Sequence, residues 1–194
     1  MNKNTLHFKK IAFIIRIVAC IIITSLLFML FGTGLKMTVK SSGGNHVTTY
    51  SNAYSFIFGG ELTSEHISYK AKSVSALGII GFILIILSLI GIIISIVLSN
   101  KKRNVSSLSL FGSFLLIIAS SIIMLSMHYS AASILANAIT GNASDAVVNT
   151  IYNNTSLYFG FIGPGVFGLL SAMLIIASYF FDGTIDKIST FLVK

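Results

Sequence analysis

The chain has 194 residues, of which 55% are hydrophobic and 9% are charged, and its mean hydropathy is +0.92. A soluble domain carries about 25% charged residues, so this composition excludes an ordinary soluble domain and indicates a membrane protein. The net charge of +8 comes from thirteen cations scattered along the chain. They form no basic stripe, which argues against a nucleic-acid-binding protein.

Four long apolar runs without acidic residues organise the chain. About 20 helical residues cover the ~30 Å of a bilayer's hydrocarbon core, so each run is long enough to cross a membrane. The runs predict an all-α membrane fold, a four-transmembrane-helix bundle, as a single domain over residues 1–194. The predicted spans are 11–31, 74–98, 108–127 and 157–181, and the predicted outer loops are 32–73 and 128–156.

The Lys and Arg residues predict how the chain threads the membrane. Nine of the thirteen lie in the N-terminal segment, at Arg16, in the short connector 99–107 and in the C-terminal tail, whereas four lie in the two outer loops. By the positive-inside rule, both termini are then cytoplasmic in a multi-pass protein of the cell membrane. Arg16 lies inside the first span, and we expect its side chain to snorkel back to the headgroups.

Cys20 is the single cysteine of the chain, which excludes an internal disulfide. Its position inside the first span favours a small apolar filler. The segment Ile17-Val18-Ala19-Cys20 resembles the cleavage box of a bacterial lipoprotein. Arg16 interrupts the apolar stretch before this box, and eleven apolar-run residues follow it, so we favour the filler interpretation.

The first outer loop predicts a β-hairpin. Residues 35–40 alternate in polarity, 41–45 have the composition of a turn, and 46–50 are strand-like. Two strands alone are marginal in water, so we expect the hairpin to be supported by the other loop or by a partner. The next segment, 54–60, is too apolar for a solvated loop, and 61–72 is polar and is compatible with an extension of the second helix.

The second outer loop predicts two short helices. Residues 131–139 are rich in small residues and look helical, and Gly141 ends this segment. Ser144 is placed to cap a second helix from Asp145 to about Tyr152, with the aspartate in its first turn.

Small residues recur at helical spacing on three of the spans and predict the faces on which the helices pack. We assign helix packing to Gly81, Ser88, Gly91, Ser95, Ser109, Ser113, Ser120, Gly160, Pro164, Gly168 and Ala172. The serines are compatible either with a packed bundle, which we favour, or with a polar path. Pro164 removes an amide donor inside the fourth span and predicts a kink there.

Chemistry-bearing residues are sparse. The four histidines are dispersed, and the tightest ionisable group is Glu61, Glu65 and His66 in the first loop. We therefore predict no catalytic residues, no metal ligands and no cofactor. The candidate outer partner surface consists of aromatic loop residues: Tyr50, Tyr54, Phe56, Phe58 and Tyr152.

Two resemblances follow from these features. Four spans with a larger first loop resemble the claudin-like tetraspan plan in architecture, although the chain has no Trp and no Cys pair. The Phe56-Ile57-Phe58-Gly59 stretch before a Gly-rich second span, Leu77-Gly78-Ile79-Ile80-Gly81, is similar to uncharacterised four-pass membrane proteins of low-GC bacteria. The Ile, Lys and Asn bias also suggests an AT-rich bacterial genome. Neither resemblance implies an activity.

The leading functional hypothesis is a non-enzymatic structural or accessory membrane protein whose outer loops form a partner-binding cap. Its expected partners are membrane lipids and either another protein or further copies of this chain, with no nucleic acid. The alternative is a subunit of an oligomeric channel or transporter, and a membrane enzyme is the weaker alternative.

Overall fold

The computed structural model describes the backbone of residues 3–41, 44–63, 68–99, 106–141 and 143–192, with side chains over 9–38, 52–63, 68–98, 107–141 and 143–181. Within these ranges the chain forms six helices and five strands. In chain order they are α1 (Lys3–Met29), β1 (Thr33–Ser41), β2 (Gly44–Asn52), α2 (Ala53–Phe58), β3 (Glu61–Thr63), β4 (Ser68–Lys70), α3 (Ala76–Ser99), α4 (Ser106–Thr140), α5 (Asp145–Asn154), β5 (Thr155–Leu157) and α6 (Phe159–Leu192).

Four of the helices are long and apolar enough to cross a membrane. The qualifying stretches are Lys9–Met29, Ala76–Leu98, Ser107–Thr140 and Phe159–Phe181. They confirm the predicted all-α fold with four spanning helices, and the protein is a multi-pass membrane protein.

The chain divides into two compact units, and every spanning helix contributes to both. The terminal unit comprises Met1–Ser25, Leu84–Ile118 and Phe167–Lys194, and the loop unit comprises Leu26–Ile83 and Ala119–Val166. The terminal unit is built from helices and has a core of aliphatic side chains that includes Ala19, Ile85 and Ile175. The prediction of a single domain stays a prediction.

The loop unit contains the predicted hairpin together with a third strand. β1 pairs antiparallel with β2 in a register that runs from Thr33↔Asn52 to Ser41↔Gly44. β5, from the second loop, adds to the other edge of β1 through Leu35↔Leu157 and Met37↔Thr155, which gives the strand order β2-β1-β5. The hairpin is therefore supported by the other loop, as we expected.

The apolar segment after the hairpin forms the short helix α2. Asn52 caps it, since its Oδ1 accepts a hydrogen bond from the Ser55 amide at 2.8 Å. The helix ends at Gly59, whose φ of 80° favours glycine. Beyond it, residues 61–63 and 68–70 are strands and not the extension of the second spanning helix with which their composition was compatible. β3 and β4 pair antiparallel instead, and α3 begins only at Ala76.

The expected short helix over 131–139 is wrong as a separate element, because α4 continues through it without a break to Thr140. No Gly or Pro occurs between residues 113 and 140 to interrupt the helix. Gly141 ends it with a φ of 70°, and its amide donates to the Asn137 carbonyl at 3.0 Å. At 1.5 Å per residue α4 is about 52 Å long, well beyond one bilayer core.

The second short helix is confirmed as α5, which begins at Asp145. Ser144 occupies the N-cap position, but its side chain makes no capping hydrogen bond, so that detail of the prediction is wrong. Pro164 lies inside α6, and the predicted kink stays a prediction.

Candidate functional site

The loop unit presents a group of three aromatic side chains where the last turn of α5 contacts α4, which we call the Tyr152 cluster: His128, Tyr129 and Tyr152. The Tyr152 ring centroid lies 4.1 Å from that of His128 and 6.0 Å from that of Tyr129. Tyr129 is 46% exposed and Tyr152 is 37% exposed. The cluster therefore offers two large amphipathic side chains that are partly open and already in mutual contact.

His128 fixes this cluster against the third strand. Its Nε2 lies 3.0 Å from the Thr155 carbonyl oxygen and 3.2 Å from Thr155 Oγ1. A carbonyl only accepts, so Nε2 carries the proton and donates to it. Thr155 Oγ1 in turn donates to the Tyr152 carbonyl at 3.3 Å. Because β5 begins at Thr155, these bonds join α4, the end of α5 and the sheet at one point.

A further exposed tyrosine, Tyr158, directly follows β5. Tyr158 is 42% exposed, and Lys36 Nζ lies 6.0 Å from its ring centroid, within the range of a cation–π contact. The Tyr158 amide donates to the Gly34 carbonyl at 2.9 Å, which ties the start of α6 to β1.

Another aromatic group, the Tyr54 cluster, consists of Phe31, Tyr54, Phe58 and Phe82. Tyr54 stacks on Phe31 with centroids 5.2 Å apart and contacts Phe58 at 4.4 Å. Phe58 meets the edge of Phe82 at 4.9 Å. The rings form a continuous row from the end of α1 through α2 to α3.

The structure separates the aromatic residues that we predicted as one partner surface. Tyr152 lies in the Tyr152 cluster, and Tyr54 and Phe58 lie in the Tyr54 cluster. Phe56 is fully buried, with its ring 6.2 Å from that of Phe161, so it belongs to the core rather than to the predicted surface. The reason is that α2 is helical, so residues 54 and 58 share one face while residue 56 points away from it. The Tyr50 side chain lies outside the described residues.

Predicted packing residues of the loop unit make close contacts between helices. A Cβ at Gly81 would lie 3.4 Å from Ile123 Cγ1 and 3.6 Å from the Ala119 carbonyl oxygen. A Cβ at Gly160 would overlap the Gly32 carbonyl oxygen and would lie 2.9 Å from Ala53 Cβ. Pro164 is buried, and the buried Ser120 Oγ has no hydrogen-bond partner within the described part of the chain.

In the terminal unit the predicted packing residues lie between helices as well. Ser88 Oγ donates to the Gly112 carbonyl at 2.7 Å, which joins α3 to α4. Gly91 faces the same stretch of α4, with Gly112 Cα 4.0 Å from the position of a Cβ. The remaining predicted residues of this unit are all buried: Ser95, Ser109, Ser113, Gly168 and Ala172.

Sequence reasoning missed a polar contact around Arg16. The expected snorkelling is wrong, because Arg16 is only 2% exposed and its Nε donates to Ser178 Oγ at 3.2 Å. Ser178 Oγ in turn donates a hydrogen bond to the Ile175 carbonyl at 2.7 Å. Ser178 lies 162 residues from Arg16, and only its seven-residue spacing from Ser171 on the same helix marks it in the sequence.

The sequence offered one candidate group for metal or acid–base chemistry: Glu61, Glu65 and His66. Among the described residues no group of three His, Cys, Asp or Glu side chains could hold a metal ion. Glu65 and His66 lie outside the described residues, so the Glu61 group stays unassigned.

No known family model matches this chain, and no curated protein and no solved structure is detectably similar to it.

Proposed function

We propose that this multi-pass protein is a non-enzymatic accessory or structural protein whose loop unit binds a protein partner through the Tyr152 cluster. The observation that carries the proposal is that two half-open tyrosines are held in place by His128 and its hydrogen bonds to Thr155. Tyrosines dominate many interface hot spots because they supply large contact area with few rotatable bonds.

The pre-positioned geometry supports this surface further. The Tyr152 ring contacts two other rings, and Thr155 is fixed in the sheet by its pairing with Met37. A partner would therefore lose little side-chain freedom on this side of the interface, which lowers the entropic cost of binding. The surface also lies at the end of α4 that extends beyond the length needed for one crossing.

We propose in addition that both termini are cytoplasmic and that the loop unit faces the outside of a bacterial cell membrane. The distribution of cations supports this orientation, with nine on the side of the termini and four in the loops. Affinity tags at either terminus should then be protected from externally added protease in intact cells.

Affinity purification from native membranes in mild detergent tests the binding role. We expect a stoichiometric companion protein whose Kd rises about thirty-fold in Tyr152→Ala, equivalent to about 2 kcal/mol for a hot-spot residue. Tyr129→Ala is a second variant, because it removes the more exposed of the two tyrosine rings and keeps Tyr152. Tyr179→Ala, in the terminal unit, is the matched control and should leave the companion bound.

Two results would contradict the proposal. One is recovery of this chain alone in several mild detergents. The other is a companion that binds Tyr152→Ala and Tyr129→Ala as tightly as the unsubstituted protein, with circular dichroism confirming that both variants are folded.

A channel or transporter subunit is the second candidate, and the buried polar side chains of the terminal unit favour it. Arg16 and six serines lie at 2% exposure or less on its helices: Ser88, Ser95, Ser109, Ser113, Ser171 and Ser178. Buried polar side chains in spanning helices line ion or substrate paths in many transporters. Flux into liposomes that contain the purified protein tests this role, and the absence of flux across a panel of ions and small solutes would exclude it.

A further inference from the structure

We propose that the Tyr54 cluster is a lipid-contacting surface that anchors α2 and the start of the loop unit in the bilayer interface. Its partner is the boundary between acyl chains and headgroups rather than a protein. This inference goes beyond the proposed function and does not depend on it, since it concerns a different surface of the loop unit.

The cluster lies where two spanning helices end. Phe31 lies two residues after the end of α1, and Phe82 lies in the second turn of α3, so two of the four rings sit at the ends of spanning helices. Tyr54 and Phe58 lie between them on one face of α2. Aromatic rings at the ends of spans are typical of the membrane–water interface.

The two spanning helices that flank α2 in the chain carry exposed apolar side chains close in sequence to the residues of the cluster. Phe28 is 70% exposed and Phe31 is 59% exposed on the α1 side. On the α3 side Leu77, Ile80 and Ile83 are each exposed by nearly half. An apolar surface of this extent needs a cover, and the acyl chains that surround α1 and α3 already lie against its two ends.

The backbone amides at the start of α2 need acceptors from the protein if this helix lies in lipid, because lipid tails offer none. The Ala53 and Tyr54 amides donate to the carbonyls of Gly32 and Leu30, each at 2.9 Å. The Ser55 amide donates to Asn52 Oδ1 at 2.8 Å, so the first three amides of α2 have protein acceptors. A short helix in water does not need protein acceptors for these three amides, because water would bond them.

The Tyr54 cluster and the Tyr152 cluster differ in the polar groups that accompany their rings. There a histidine, a threonine hydroxyl and a backbone carbonyl are hydrogen-bonded among the rings. The Tyr54 cluster consists of three phenylalanines and one tyrosine, and the phenol of Tyr54 is its single polar side-chain group. One phenol on an apolar row suits the level where acyl chains meet headgroups.

Single tryptophans provide the test, because the chain contains no Trp and each substitution gives one fluorescent reporter. Tyr54→Trp and Phe58→Trp report on the cluster, and Phe31→Trp serves if either variant folds poorly. Tyr152→Trp is the matched control in the other cluster. Each protein is reconstituted in phosphatidylcholine–phosphatidylglycerol vesicles with acyl chains brominated near the headgroup or near the methyl end, and is also titrated with aqueous iodide.

We expect Trp fluorescence from positions 54 and 58 to be blue-shifted, to be lost mostly to lipid brominated near the headgroup, and to resist iodide. Fluorescence from position 152 should respond in the opposite way. Quenching of positions 54 and 58 by iodide without quenching by brominated lipid would overturn the proposal. Protection from both quenchers would also overturn it, because protein would then cover the cluster.

Discussion

Different kinds of internal contact stabilise the terminal unit and the loop unit of this protein. In the terminal unit, an arginine and several serines are buried on helices, and two of these side chains bond to a neighbouring helix: Arg16 donates to Ser178 Oγ, and Ser88 donates to the Gly112 carbonyl. In the loop unit, glycines bring backbones together, strands pair across two loops, and rings pack in rows. In the apolar bilayer, small residues and side-chain hydroxyls join neighbouring helices. Outside the bilayer, strand pairing and the burial of aromatic rings also stabilise the fold.

A methyl group added at Gly160 would disturb the closest backbone approach of the loop unit. In Gly160→Ala the new methyl group would meet backbone oxygens of Gly32 and Thr33, neither of which is on a flexible side chain. Gly91→Ala is the matched control, since its nearest neighbour lies 3.9 Å away.

We expect Gly160→Ala to lower the free energy of unfolding by about 3 kcal/mol, the upper part of the range for overpacking. SDS titration in mild-detergent micelles, followed by circular dichroism, measures the effect. Equal stability of Gly160→Ala and Gly91→Ala would contradict the packing described for the loop unit.

In the terminal unit, Ser178→Ala and Ser171→Ala form a matched pair. Both serines are fully buried on α6, but Ser178 accepts from Arg16, whereas Ser171 Oγ has no partner among the described residues. Hydrogen bonds to charged groups are worth about 2 kcal/mol, so Ser178→Ala should lose about that much and Ser171→Ala almost nothing. The same SDS titration compares them, and the reverse order would show that the Arg16–Ser178 bond is not stabilising.

The start of α3 gives a smaller effect in the loop unit. Ser75 Oγ accepts from the Gly78 amide at 3.0 Å and from the Ser130 hydroxyl at 2.8 Å, so it caps α3 and joins it to α4. Ser75→Ala should cost about 1 kcal/mol, the usual loss for an N-cap. Thermal unfolding of Ser75→Ala beside the exposed Ser73→Ala measures it, and equal midpoints would remove the capping role.

The smallest expected effect is that of Ser88→Ala in the terminal unit. Its hydroxyl bonds the Gly112 carbonyl between α3 and α4, and such interhelical bonds average about 0.6 kcal/mol in membranes. SDS titration beside Ser113→Ala, which removes a buried hydroxyl that bonds to the Leu110 carbonyl on its own helix, separates the interhelical bond from the loss of a buried hydroxyl. A loss as large as that of Ser178→Ala would mean that neutral and charged hydrogen bonds do not differ here.

Much of the fold was predictable from the sequence, because long apolar runs and alternating polarity are local signals. The spans and the β1–β2 hairpin follow from them. β5 could not be predicted, since three residues, Thr155–Leu157, are too short to show a strand pattern and are defined by their pairing with β1.

The candidate sites were less predictable because they depend on which face of an element is covered. The burial of Arg16 follows from contact with a residue 162 positions away, which no local pattern reveals. The split of Tyr54 from Phe56 follows from α2 being helical. The contribution of His128 and Tyr129 follows from α4 continuing past the predicted end of its span. In each case the residue was visible in the sequence, but its neighbours were not.

Together, the two proposals give the loop unit one surface for a protein and another for lipid. A photo-reactive amino acid placed at position 152 or at position 54, and activated in native membranes, distinguishes these two surfaces. We expect position 152 to give one discrete adduct with a second polypeptide and position 54 to give adducts with lipid. A protein adduct from position 54 together with none from position 152 would contradict the account.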